Sequence, residues 1–62
     1  MNLLTETRHK LNYSRNNLES LQGVDTSELT KDARHYVEDE IVKAKRNIEY
    51  YEGIMKVLEG EQ

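Results

Sequence analysis

VEDEIVKAKRNIEYYEGIMKVL, residues 37–58, decides the fold of this chain. Its apolar residues Val37, Ile41, Ala44, Ile48, Tyr51, Met55 and Leu58 are spaced 4, 3, 4, 3, 4 and 3 apart. That alternation is the a/d signature of a heptad helix and puts these side chains on one seam. Just upstream, Leu29, Ala33 and Val37 step by four twice, a stutter that locally relaxes the left-handed supercoil. Leu29, Tyr36, Tyr50 and Val57 form a neighbouring seven-residue row broken only by Lys43. The apolar face is therefore wider than a two-stranded coiled coil needs, and a four-helix bundle uses such a face.

The first segment carries a weaker version of the same pattern. Leu4, Leu11 and Leu18 recur every seven residues, with Thr7, Ser14 and Leu21 three positions later. Between the segments, Gly23 can end a helix in the left-handed conformation, with Val24 beyond it for contact with the last turn. Asp25 and Glu28 match a capping box, and Val24 and Leu29 a hydrophobic staple. The expected fold is all-α. It is a single domain over residues 1–62, an antiparallel hairpin with helix 1 over 3–22, a turn over 23–25 and a longer helix 2 over 26–59. Ser27 and Thr30 are further caps, and a looser loop through Thr30 gives the same hairpin with a later second helix. With the tight turn Leu11 faces Val37, Leu4 faces Ala44, and helix 2 outruns helix 1 by about 10 residues, roughly 15 Å. That end carries Tyr50, Tyr51, Ile54, Met55, Val57 and Leu58, a large apolar surface for a small protein to leave wet, and with Ile48 these are the candidate protein-binding or dimer-interface residues.

Composition narrows the ways such a chain is stabilised. A 62-residue chain has a marginal core, and with no cysteine neither disulfides nor thiolate–metal sites can staple it. Oligomerisation is the remaining route, and a homodimer closing a four-helix bundle is expected. No apolar run approaches the ~18 residues of a membrane span, and the first residues lack a signal-peptide core, so no membrane association and a cytoplasmic location are expected. The formal charge is -3, with Arg8, Lys10 and Arg15 outweighing Glu6 and Glu19 up to Gln22 and acid dominating beyond. Opposite signs on the two segments favour their pairing.

Catalytic and metal-binding readings are weak. Asp32, His35 and Asp39 share a helix face, but His35 and Asp39 fall at outward heptad positions, as does His9. Glu38, Asp39 and Glu40 have no apolar surround to raise a carboxylate pKa for acid–base work. No enzyme activity, metal or other cofactor is expected. Arg8, Arg15, Lys43 and Arg46 are the candidates for phosphate contacts, but acids flank Lys43 and Arg46, and phosphate binding wants a net positive stripe. In size and architecture the expected dimer resembles the Rop-type RNA-binding hairpins that regulate plasmid copy number, without sharing a residue motif. That resemblance implies a nucleic-acid regulator as the second reading, and a structural part of a larger assembly is a third. The first is a dimeric adaptor or inhibitor that binds a larger protein target, because Tyr and Met are enriched where proteins meet.

Overall fold

The computed structural model of the protein describes residues 2–60. It holds two helices, α1 over Leu3–Gln22 and α2 over Lys31–Gly60, joined by a loop containing a short 3-10 turn at Thr26–Glu28. Among the described residues there is no strand.

Local hydrogen bonds set each boundary. Asn2 is extended, and its Oδ1 accepts from the Thr5 backbone N–H at 2.8 Å, an N-cap that starts α1. At the other end the Gly23 N–H donates to the carbonyls of Glu19 and Ser20 at 3.1 and 3.2 Å. Gly23 keeps right-handed φ and ψ of -81° and -7°, so α1 stops without the left-handed cap expected there. Asp25 does cap, but it caps the 3-10 turn. Its Oδ1 accepts from the Ser27 backbone N–H at 3.0 Å and from the Ser27 hydroxyl at 2.6 Å. These two bonds hold the Asp25 carboxyl below its ordinary pKa, the side-chain bond contributing most. The N-cap of α2 is Thr30, whose Oγ1 accepts from the Ala33 N–H at 3.2 Å. Helix 2 thus begins at Lys31 rather than at 26, because a carboxylate satisfied two residues downstream closes a local turn rather than opening a long helix.

The longer loop changes the register. Arg15 pairs with Glu52 at 2.9 Å, Leu11 shares a floor with Met55, and Leu3 lies beside Ile54 and Leu58. Compared with the expected Leu11–Val37 level, α1 has slid along α2 by about two heptads, roughly 20 Å. The helices are antiparallel, and the start of α1 is level with the end of α2. The stretch of α2 that α1 leaves uncovered is therefore its beginning, not the 48–58 end. Over that beginning Val37 is only 9% exposed, with the loop residues Thr26 and Leu29 half-buried. The loop folds back over it.

The seam itself is narrow and built from small residues. Thr7, Leu11 and Ser14 from α1, and Val37, Ala44 and Met55 from α2, are its buried members. Buried Thr7 donates its hydroxyl to the Leu3 carbonyl at 2.7 Å, so its polar atom is satisfied within its own helix. The result is a rod 49 Å long and 16 by 14 Å across, its length set by the 30 residues of α2 at about 1.5 Å each.

Candidate functional site

The hairpin has two broad flanks of different chemistry. One is a shallow depression in which Arg8, Asn12 and Arg15 of α1 meet Glu49, Glu52, Lys56 and Glu59 of α2 over a floor of Leu11 and Met55. The Arg15–Glu52 pair bridges it, with both side chains about half exposed. Such pairs contribute about 0.2–1 kcal/mol and keep the surface wet.

The other flank carries the aromatic and aliphatic side chains. Leu3 joins Tyr50, Gly53, Ile54, Val57 and Leu58 around a depression that holds no charged side chain and only one polar group, the Tyr50 hydroxyl. Beside it, His9, Lys10, Tyr13 and Asn17 meet Glu40, Lys43, Asn47 and Tyr51. Tyr13, Tyr36, Tyr50, Leu3 and Val57 are 73, 66, 65, 59 and 57% exposed, so more than half of each side chain faces water. Tyr50 and Tyr51 stack edge to face, with ring centroids 5.4 Å apart and planes at 66°. This contact fixes the outward ring of Tyr50 against the half-buried ring of Tyr51.

The candidate interface residues therefore divide. Met55 is buried in the seam of the hairpin itself, and Ile48, Tyr51 and Leu58 are half-buried along it. Tyr50 and Val57 point outward, with Ile54 half-exposed between them. Leu3 and Tyr13 belong to the same flank but were not among the sequence candidates. Leu3 shares its seven-residue row with Lys10 and Asn17, and Tyr13 shares its row with Glu6 and Ser20, so no apolar periodicity marks either.

The basic candidates do not converge. Arg8 and Arg15 lie on the charged flank among three acids and a lysine, while Lys43 lies on the opposite flank, 3.5 Å from Glu40. Arg46 is exposed. His35 lies 3.9 Å from Glu38, and both are largely exposed. Among the described residues no three His, Cys, Asp or Glu side chains gather as metal ligands, and no helix is long and apolar enough to cross a membrane. No protein-family model matches the chain, and neither a curated protein nor a solved structure does.

Proposed function

We propose that the chain is a non-enzymatic protein-interaction module, a helical hairpin that dimerises into a four-helix bundle and binds a larger protein target as an adaptor or inhibitor. The observation that carries this reading is the set of exposed large apolar and aromatic side chains gathered on one flank, Leu3, Tyr13, Tyr36, Tyr50 and Val57. The chain exposes 5034 Å², whereas a compact monomer of 7.3 kDa exposes about 4,200 Å². The excess follows from the rod shape and is shared by all its sides, while most of the exposed large apolar side chains lie on the tyrosine flank. Tyrosine combines a large rigid contact area with a hydroxyl that tolerates water, which suits a surface that is wet in the free protein and dry in the complex. The nucleic-acid reading has less support, because Arg8 and Arg15 are separated from Lys43 by the body of the hairpin and are interleaved with acids.

The two readings are separated by charge-introducing variants on the exposed positions. Tyr50→Glu and Val57→Glu should leave the helicity intact, weaken the dimer, and with it abolish crosslinks to protein partners in extracts of the native host. Lys43→Gln and Arg46→Gln should leave those crosslinks unchanged. Partner binding that survives both apolar variants, or that is lost with the basic ones and falls with salt, would refute the protein-binding reading.

A further inference from the structure

We propose that a second copy of this chain covers the tyrosine flank, with the two α2 helices packed antiparallel about a two-fold axis passing close to Asn47. The proposal rests on the reading of the chain as a dimerising interaction module, and it specifies the face and the direction of the dimer.

Length is the first support. α1 has 20 residues and α2 has 30, and α1 leaves the beginning of α2 uncovered on the side where Tyr36 is 66% exposed. An α1 helix from another copy would repeat that shortfall, whereas a second α2 matches the full length. Set antiparallel, Tyr36 of one copy meets Val57 of the other at both ends of the bundle.

The second support is the composition of the row. Tyr36, Lys43, Tyr50 and Val57 follow one another at seven-residue intervals, and their midpoint falls between Arg46 and Asn47. Reversing the row about that point sets each Lys43 against a Tyr50 ring, whose face attracts an ammonium. Aligning two rows in parallel sets Lys43 against Lys43, a like-charge contact that disfavours that arrangement. Lys43 is also 3.5 Å from Glu40 of its own chain, so its charge is partly offset before the faces meet. Asn47 and Arg46 flank the crossing on either side of the row, and two Asn47 amides can exchange hydrogen bonds there because each is both donor and acceptor.

The charged flank of Arg8, Arg15, Glu49 and Glu52 stays in water in this arrangement.

The chain has no cysteine, so one introduced thiol reports one contact. Asn47→Cys, Tyr36→Cys, Val57→Cys and, on the charged flank, Glu49→Cys are all made at exposed positions, and circular dichroism checks that each remains helical. Thiols held together in a dimer react at an effective concentration of about millimolar, so at ~10 µM protein a short bis-maleimide should link Asn47→Cys on the order of 100-fold faster than Glu49→Cys. Tyr36→Cys and Val57→Cys should link to each other in a mixture and not when each is alone. Self-linking of Tyr36→Cys at the rate of the mixture would overturn the antiparallel arrangement. Linking of Asn47→Cys no faster than Glu49→Cys, or a monomer in sedimentation equilibrium of the parent chain at that concentration, would overturn the second copy as occupant. A monomer that still binds a protein target through Tyr50 and Val57 fails this proposal alone. A dimer that links as expected but takes no further protein fails only the target-binding reading.

Discussion

Gly53→Ala is the most informative single substitution in this hairpin. Gly53 sits well inside α2, its φ is not positive, and a Cβ built on it meets no atom within 4 Å. Glycine in a helix interior costs about 0.8–1.0 kcal/mol relative to alanine, through the backbone freedom it loses on folding. With no clash to offset that gain, the alanine variant should be more stable by about 1 kcal/mol. For a domain of this size that raises the melting temperature by about 4–8 °C. Thermal melts followed by helical circular dichroism measure it, at matched protein concentration because association alone shifts the midpoint. Gly53 also lies between the two flanks, lining both the apolar and the charged depressions. A variant that is helical yet melts at or below the parent temperature would refute the reasoning, since the Cβ would then be meeting something in the folded species. If that loss appears only at high concentration, the obstacle is the backbone of an associated chain.

Gly23→Ala should be neutral or stabilising by up to about 1 kcal/mol, because Gly23 is right-handed and its nearest contacts to a built Cβ are carbonyls at an ordinary 3.5 Å; a lowered unfolding midpoint in urea counts against that geometry. Thr30→Ala should cost about 0.5–2 kcal/mol by removing the cap on α2, and an unchanged midpoint would place the helix start elsewhere. The Asp25 carboxyl is depressed by its bonds to Ser27, so its stabilisation is complete above the ordinary carboxylate pKa and is lost as pH falls through the lower folded value. The melting difference between the parent and Asp25→Ala should accordingly be constant at neutral pH and vanish in acid. A double-mutant cycle on Arg15 and Glu52 should return a favourable, salt-sensitive coupling of at most about 0.2–1 kcal/mol, discounted by the half exposure of both groups, and an unfavourable coupling would count against the observed register.

The helical seam was legible in the sequence because period carries it. Val37, Ala44 and Met55 recur as heptad positions, and they are the members of α2 that bury most. Register was not legible, for the same reason. Sliding one heptad helix along another by whole heptads returns a and d positions to a and d positions, so the pattern is nearly blind to the roughly 20 Å slide between the expected and observed alignments. Only the connection breaks that degeneracy, and its signals compete. Asp25, Ser27 and Thr30 all carry cap chemistry within six residues, and which backbone N–H each satisfies depends on three-dimensional closure that spacing does not encode. The local bond from Ser27 to Asp25 wins that competition and leaves Thr30 to start the helix.

The slide removes the reason for expecting a docking site at the end of helix 2, yet it leaves the outward side chains where they were. Tyr36, Lys43, Tyr50 and Val57 sit on the side of α2, and no axial movement of α1 turns that side inward. What the slide changes is the direction from which a partner must come. An overhanging end invites a helix that continues α1 along the axis, whereas a side row bounded by Leu3 and Tyr13 of α1 invites a helix laid alongside the whole hairpin. The first needs only the last turns of α2 and tolerates any charge at Lys43; the second runs through Lys43 and depends on what that lysine meets. Substituting Lys43 therefore tests the side-on arrangement at the point where an end-on one is indifferent. Lys43→Glu, which sets an acid against both Glu40 and the ring face of Tyr50, should shift the monomer–dimer equilibrium toward monomer without loss of helix; sedimentation showing an unchanged dimer would refute the side-on arrangement through Lys43.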